Sequence, residues 1–362
     1  MTAQTPTTIR VDSTDAFQRG LQRGRAIRDV LADGVAIYLS LFTAAGISPA
    51  NVRLNAEQAL LATERWCPDL ALELEGTAEG AGLDVWQVAA LNARTEILSG
   101  GLKAKPGECS TVVNTLNNPV GAQTWDWHEE LSGHWHLQEV HGNARDFVGL
   151  TEHGILSKIG INDAGVGILL NILGHQADRA DGVPVHLVGA RVLAQASTLD
   201  EAINILRTAP VSTSSAITVI SPEGAVIVEL SPIGAAVVEP QDYVLLHTNH
   251  FLDSRLALGE KPGLYDPDSQ LRLATLTERV QLSPLPPVAS GLLPYLVSQP
   301  GDAAQLCCVP ADGAVLGDRW ATLATITLDA AARAMTVSAG SPAETTENEP
   351  VRLVVVPAVL SQ

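Results

Sequence analysis

Apolar residues recur at helical spacing through most of the first hundred residues. Between Phe17 and Leu41 they lie three or four positions apart, with arginines between them and without the alternation of a strand. Pro68 interrupts a second helical stretch. We therefore predict a mainly helical N-terminal segment. Its other helices are predicted at Asn55–Arg65, Leu70–Ala78 and Val85–Ile97.

The helical pattern ends at residues 99–110, whose sequence is SGGLKAKPGECS. Three glycines and a proline lie within this short stretch, and such clusters mark loops or chain boundaries. The segment therefore separates the helical part of the chain from a second part of different character.

Short runs typical of β-strands dominate beyond this boundary. Residues 162–165 form a turn signal between two such runs and predict a hairpin. Short turns between neighbouring strands favour antiparallel pairing over βαβ units, so we expect layers of helix and sheet. Strands are predicted at Ser110–Val113, Phe147–Leu150, Leu156–Ile161, Val166–Leu170, Ile217–Ile220, Ala225–Leu230, Ala235–Val238, Tyr243–Leu246, Ala321–Leu328, Ala334–Val337 and Val351–Val356. Helices are predicted at Pro184–Ala196, Leu199–Leu206, Ser269–Val280 and Val288–Val297.

Composition and charge narrow the class of protein. The chain has 362 residues, 46% of them hydrophobic, which is enough for a large core and unlike a disordered segment. Its formal net charge of −18 argues against binding nucleic acid or an anionic membrane surface. No apolar run is long enough for a transmembrane helix, and the N-terminus lacks the features of a signal peptide. We therefore expect a cytoplasmic protein.

The histidines raise the possibility of a metallohydrolase. Four lie within fourteen residues and two more flank a Thr-Asn pair, but no HExxH motif is present. Histidines that lie at the surface or form hydrogen bonds are the favoured interpretation, and the metal site stays the alternative. No GxSxG or GxGxxG motif is present either, so no cofactor is expected. The histidines are His128, His134, His136, His141, His247 and His250.

Cys109 is the candidate nucleophile. The chain has four cysteines, at spacings that suit neither a disulfide framework nor a zinc site. Cys109 directly follows the glycine- and proline-rich boundary. A cut before it would free an α-amino group of pKa about 7.7–8, which could accept the thiol proton and later return it. From position alone, a buried cysteine that packs as a small hydrophobe remains the alternative.

Several ordered motifs extend this interpretation. The sequences GECST at 107–111 and QTWDW at 123–127 are followed by KIGINDAGVG at 158–167, Leu170-Asn171 and HTNHF at 247–251; EGTAEGAG at 75–82 and NARTE at 92–96 precede them. This set resembles the acyl-CoA:6-aminopenicillanic-acid acyltransferase (isopenicillin-N acyltransferase) family, a branch of the N-terminal-nucleophile hydrolases. The resemblance covers roughly residues 20–340 in the expected order.

The resemblance implies an α+β fold, a four-layer αββα sandwich, and a precursor that cuts itself between Glu108 and Cys109. Residues 1–108 would form a small, mainly helical chain and residues 109–362 a large chain. The two chains would stay associated as one structural domain.

The resemblance also implies roles for four residues. Cys109 would be the N-terminal nucleophile, and Asp126 would orient it and support self-cleavage. Asn249 would direct its amide at the developing oxyanion. Arg319, just before a predicted strand, is the arginine expected near the active site late in the chain.

Two positions depart from the family pattern. The family's best-known members cut a Gly-Cys bond, whereas Glu108 precedes the cysteine here, and Ser110-Thr111 replaces their Thr-Thr. A larger, charged residue before the cut puts the efficiency of processing in question.

These observations predict a self-processing cysteine amidohydrolase or acyltransferase that acts on a small acyl amide or acyl thioester through a Cys109 thioester. Two alternatives remain. One is an unprocessed homologue that binds acylated metabolites with little turnover, and the other is the metallohydrolase built on the histidines.

Overall fold

The computed structural model describes residues 6–101, 109–264, 267–344 and 349–356. Glu108, the residue before the predicted cut, lies outside the described residues. The α-helices are α1 (Ala16–Ala26), α2 (Arg28–Ala44), α3 (Pro49–Trp66), α4 (Pro68–Ala81), α5 (Val85–Asn92), α6 (Arg94–Ser99), α7 (Val185–Gln195), α8 (Leu199–Thr208), α9 (Ser254–Ala257) and α10 (Asp268–Leu282). The strands are β1 (Thr8–Asp12), β2 (Thr111–Asn114), β3 (Val120–His128), β4 (Trp135–His141), β5 (Phe147–Glu152), β6 (Ile159–Asn162), β7 (Gly167–Ile172), β8 (Ser215–Ser221), β9 (Gly224–Ser231), β10 (Gly234–Val238), β11 (Val244–His247), β12 (Trp320–Asp329), β13 (Ala334–Ala339) and β14 (Val351–Val354).

The strands form two sheets. The first has eight strands in the order β1-β4-β5-β6-β7-β8-β9-β10, and the second has six in the order β11-β2-β3-β12-β13-β14. Every neighbouring pair is antiparallel except β1 with β4. The expected antiparallel pairing is confirmed, and so is the hairpin between β6 and β7.

The two sheets pack face to face, and helices cover their outer faces. The largest apolar cluster contains inward-facing residues of both sheets. A second cluster joins the eight-stranded sheet to α7 and α8, and a third joins the six-stranded sheet to α10 and the 3₁₀ helix Ala289–Leu296. This order of layers confirms the predicted four-layer αββα sandwich.

Some element boundaries differ from the prediction. The helix expected from Phe17 to Leu41 is divided at Ile27 into α1 and α2. The helix expected at Val288–Val297 is the 3₁₀ helix Ala289–Leu296, which contains Pro294 and therefore lacks one backbone donor. Strands β1, β3 and β4 were not predicted. All nine residues of β3 are buried, so no alternation of polar and apolar residues marked it.

The length and hydropathy of the helices can be compared with those of a membrane-spanning helix. Within the described part of the chain, no single helix is long and apolar enough to cross a bilayer. Among the described helices, one pair, α2 with α3, meets the length and composition requirement together, and the chain bends by 115° between the two.

Glycines allow α1 and α4 to cross with their backbones in contact. A Cβ atom on Gly76 would lie 2.1 Å from the carbonyl oxygen of Phe17, and one on Gly20 would lie 2.1 Å from that of Glu73. Buried ion pairs from Glu73 to Arg19 and Arg23 lie beside the same crossing. Because the opposing atoms belong to the backbone, a side chain here would force the helices apart.

We expect Gly76→Ala to destabilise the protein by about 1–3 kcal/mol, since the added methyl group overpacks the crossing. The free energy of unfolding in urea measures this change. Gly133→Ala is the matched control, because a Cβ at Gly133 meets no atom within 4 Å. Equal stability of the two variants would contradict this account of the crossing.

Candidate active site

Cys109 lies buried at the start of the large segment, two residues before β2, with 5% of its surface exposed. The β2–β3 register pairs Thr111 with Gln123, and Thr124 N donates to Ser110 O at 3.1 Å. Continuing this register places Cys109 opposite Trp125. Cross-strand partners share a face, so both side chains belong to the layer between the sheets.

Two side chains hold the carbonyl oxygen of Cys109. Asn171 Nδ2 donates to it at 2.8 Å, and Arg272 Nη1 donates at 3.3 Å. Thr111 Oγ1 in turn donates to Asn171 Oδ1 at 2.8 Å, and Gln123 Nε2 donates to Thr111 Oγ1 at 2.6 Å. These bonds fix the orientation of the Asn171 amide and with it the backbone at Cys109.

Arg272 of α10 forms hydrogen bonds with both Cys109 and Asn249, two of the residues predicted for the site. Its guanidinium is buried and donates to Asp268 at 2.6 Å, to Ser110 Oγ at 3.1 Å and to Asn249 Oδ1 at 2.9 Å. A planar guanidinium has donors in fixed directions, so it can hold several acceptors at once. Arg272 therefore brings Asn249 to the Cys109 peptide. Sequence reasoning missed this residue, because an Asp-Arg pair four residues apart on a helix is typical of any exposed helix surface.

Asn249 is fully buried in the segment after β11. Its backbone N–H donates to Ser269 Oγ at 2.7 Å, and its Nδ2 donates to Ile172 O at 2.9 Å. Because Arg272 binds Oδ1, the amide group is oriented with Nδ2 on the opposite side. Asn249 is thus positioned as a donor beside the end of β7.

Buried Glu229 of β9 anchors the segment that contains Asn249. It accepts hydrogen bonds from His247 Nε2 at 3.0 Å, Leu252 N at 2.6 Å and Asp253 N at 2.9 Å. His247 is therefore paired with a carboxylate on the neighbouring sheet. The HTNHF segment is held from both of its ends.

Asp126 lies on the outer face of β3. Alternation along the strand separates it from Trp125 and Trp127, which face the other sheet. Thr322 Oγ1 donates to Asp126 Oδ1 at 2.6 Å. Burial raises the pKa of Asp126 to about 6, although Thr322 and the charge of Arg272 oppose this shift. Asp126 therefore lies on the face of β3 opposite to Trp125, within electrostatic range of Arg272.

Arg319 makes other contacts. Its side chain is 44% exposed and pairs with Glu129, and its Nε lies 3.6 Å from Glu130 Oε1. The arginine that reaches Cys109 is Arg272, whereas the contacts of Arg319 are with acidic residues at the surface. The assignment of Arg319 from the resemblance has no support in these contacts.

The histidines singled out in the sequence are dispersed. His141 binds Asp146 at 2.8 Å, and His136 stacks on His153 with ring centroids 5.1 Å apart. His128 packs against Trp320. Among the described ranges, no group of three or more His, Cys, Asp or Glu residues is arranged to hold a metal ion.

A cavity of about 440 Å³ lies beside the site. Ile172, which follows the Cys109-binding Asn171, lines it, and so does Lys261. Helices α2 and α6 form one wall, so both of the chains that self-cleavage would produce contribute to the cavity. Apolar and aromatic groups predominate among the residues that line it, including Leu41, Leu98, Trp127, Leu316 and Trp320. A space of this size and character suits an apolar group of a small molecule.

Comparison with known proteins identifies relatives for most of the chain. Residues 113–344 match the profile of the family described as acyl-coenzyme A:6-aminopenicillanic acid acyl-transferase. The 40 kDa form of acyl-coenzyme A:6-aminopenicillanic-acid-acyltransferase from Emericella nidulans is 31% identical over 192 residues, which are 52% of this chain and 53% of that protein. The match therefore spans about half the length of this curated relative.

Two solved structures are similar at lower identity. A penicillin V acylase from Agrobacterium tumefaciens has a TM-score of 0.44 and 16% identity, covering 64% of this chain and 83% of its own. A conjugated bile acid hydrolase from Clostridium perfringens has a TM-score of 0.44 and 11% identity, covering 67% and 92%.

Proposed function

Because the chain belongs to the acyl-coenzyme A:6-aminopenicillanic acid acyl-transferase family, we propose that it is a self-processing cysteine amidohydrolase or acyltransferase. The observation that supports this most directly is the convergence on Cys109. Asn171 and Arg272 bind its carbonyl oxygen, and Arg272 also binds Asn249. Three distant segments of the chain thus meet at one buried thiol residue.

Self-cleavage generates the catalytic group in this proposal. The Cys109 thiol attacks the carbonyl carbon of Glu108, so that an S–C bond forms as the C–N bond breaks and the thiol proton passes to the Cys109 nitrogen. Water then hydrolyses the thioester, leaving a carboxylate on Glu108 and a free α-amine on Cys109. Fixing the Cys109 carbonyl keeps the new terminus in place once the bond to residue 108 is gone.

Turnover repeats this chemistry on a substrate. The thiol attacks the acyl carbonyl of an amide or thioester, and the α-amine of Cys109 takes the thiol proton and passes it to the leaving group. Asn249 donates to the oxyanion of the tetrahedral intermediate. Water or an amine then resolves the acyl-enzyme. The apolar cavity would hold the acyl group, and excluding water from it would favour transfer to an amine.

Analysis of the purified wild-type protein tests this proposal. We expect two fragments, of 108 residues and of 362 − 108 = 254 residues, with cysteine at the N-terminus of the larger one. A panel of acyl amides and acyl thioesters, with and without an added amine, should show turnover. An intact chain that binds these compounds without turning them over would instead support the unprocessed binding protein.

Asp126 gives a separate prediction about pH. Its pKa is raised from 3.8 to about 6, so between those values the folded protein holds a proton that the unfolded chain has lost. The contribution of Asp126 to the free energy of unfolding therefore falls as the pH rises through this window. Above the window, the ionised carboxylate costs up to about 3 kcal/mol. Asp126→Asn should be more stable than wild type at pH 7, with the difference vanishing near pH 4.

The same variant should lose self-cleavage or turnover, since the buried charge near Arg272 is removed. Urea unfolding across pH, together with processing rates, measures both effects. A gain in stability with full activity would mean that the carboxylate has no functional role.

A further inference from the structure

Residues 309–319 form a loop that leads into β12 and contributes to the lining of the apolar cavity. Val315 and Leu316 of this 309–319 loop line the cavity, as does Leu41 of α2. Leu41 is 2% exposed, whereas Val315 and Leu316 are 65% and 40% exposed. The cavity is therefore enclosed around Leu41 and opens to solvent at Val315 and Leu316.

Both ends of the 309–319 loop are fixed beside the start of β12. At one end, Thr322 N donates to Cys308 O at 3.0 Å, and Cys308 N donates to Thr322 Oγ1 at 2.8 Å. At the other end, Glu129 N donates to Arg319 O at 2.7 Å, and the Arg319 guanidinium pairs with the Glu129 carboxylate. A compact surface loop with its ends held in this way can present a functional side chain at its tip. Arg319 thus anchors the loop.

A turn at the tip of the loop packs against α2. Asp318 N donates to Val315 O at 2.9 Å, and Gly317 within this turn has a φ of +89°, which disfavours a side chain. A Cβ at Gly317 would lie 3.8 Å from the Cβ of Ala44, which is van der Waals contact. Since Leu316 and Ala44 both line the cavity, these contacts place Leu316 beside the α2 wall at the mouth.

Another part of the cavity adjoins the proposed oxyanion donor. Ile172 lines the cavity, and its carbonyl oxygen accepts a hydrogen bond from Asn249 Nδ2 at 2.9 Å. The residue before it, Asn171, binds the carbonyl oxygen of Cys109. An acyl group on the Cys109 sulfur would therefore enter the cavity beside Ile172.

We propose that Leu316 is a specificity-determining residue that limits the length of the acyl group, an inference that rests on the proposed function. A short linear acyl group fits within the enclosed part of the cavity. A longer one reaches the mouth, where the side chain of Leu316 occupies the space that its last carbons need. Each carbon that the cavity accommodates adds buried apolar surface, whereas a carbon that overlaps Leu316 is rejected.

The chain-length preference of two variants tests this assignment. Wild type, Leu316→Ala and Leu316→Trp are assayed on hexanoyl and decanoyl 4-nitroanilides, and the ratio of the two kcat/KM values is compared. Leu316→Ala enlarges the mouth and should raise the ratio of decanoyl to hexanoyl turnover about tenfold. Leu316→Trp fills the mouth and should lower the same ratio about tenfold.

Val309→Ala is the matched control. Val309 begins the same loop and is 76% exposed, but it lies outside the cavity lining. Its variant also replaces an exposed apolar side chain with a methyl group, and it should keep the wild-type ratio. Circular dichroism checks that each variant is folded.

A binding measurement separates this inference from the proposed function. Hexanamide and decanamide are titrated into the Cys109→Ala chain with and without Leu316→Ala, and the quenching of tryptophan fluorescence gives their dissociation constants. Trp127 and Trp320 line the cavity, so their emission reports its occupancy. Leu316→Ala should tighten decanamide binding about tenfold relative to hexanamide.

Three results would overturn the assignment. The first is a folded Leu316→Ala protein with the wild-type ratio of amide affinities, and the second is a Val309→Ala protein whose ratio shifts as much. The third is a Cys109→Ala chain that binds neither amide. If Leu316→Ala shifts the affinities but the wild-type protein turns over neither anilide, the proposed function has failed while the role of Leu316 in the cavity stands.

Discussion

Cys109→Ala should remain a single chain of 362 residues and should lose at least about a thousandfold in acyl-amide turnover. Alanine has no nucleophile to attack the preceding carbonyl, so neither the thioester nor the new α-amine can form. The same sulfur is needed for each later acyl transfer. The loss of self-cleavage and the loss of turnover therefore both follow from removal of the Cys109 sulfur atom. A denaturing gel and an assay with the most active acyl amide measure them.

Two further variants distinguish the loss of the nucleophile at Cys109 from a general effect of removing a buried cysteine. Cys67→Ala removes another buried cysteine, at the junction of α3 and α4, and should be processed and active. Cys109→Ser keeps a hydroxyl at the position and should be cut more slowly than wild type. A Cys109→Ala protein that is cut and active would eliminate the mechanism.

Asn249→Ala should lower kcat by about 10²–10³-fold, with a much smaller change in KM. Removing one oxyanion donor has an effect of this size, because the interaction strengthens only as charge develops on the oxygen. Arg272 binds the Oδ1 atom of Asn249, so Nδ2, which donates to Ile172 O in this structure, is the atom that would donate to the oxyanion. Steady-state kinetics on the processed enzyme measure the change.

Asn249→Asp tests whether the side-chain amide of Asn249 acts as a hydrogen-bond donor or only positions Arg272. It keeps the size of the side chain and an oxygen for Arg272, but replaces the donor with an acceptor. If Asn249 only positions Arg272, this variant should retain most of the activity. If Asn249 donates to the oxyanion, it should be as impaired as the alanine variant. Thermal unfolding checks that neither variant is inactive because it is unfolded.

The residues at the site were accessible from the sequence to different degrees. Cys109, Asp126 and Asn249 were identified through motifs, and the structure joins Cys109 and Asn249 through hydrogen bonds to Arg272. Arg272 had no motif at all, because the contacts that make it special span 163 and 23 positions along the chain.

Arg319 illustrates the opposite situation. Its position before β12 matched the expected order of the motifs, but proximity in sequence to a strand does not determine where a long side chain points. The structure directs it to Glu129 and Glu130 at the surface. A pattern of residues could not distinguish this pairing from one at the active site.

By itself, the sequence determined most of the helices and strands, their antiparallel pairing and the one cysteine placed directly after the loop that separates the two parts of the chain. These depend on interactions between near neighbours: helical periodicity, turn residues and short connections. Only the tertiary structure decided that β3 is a central strand, that Arg272 reaches Cys109, and that the 309–319 loop lines the apolar cavity. Those features depend on burial and on residues brought together from distant segments, and the strength of such interactions is set by the surrounding layers.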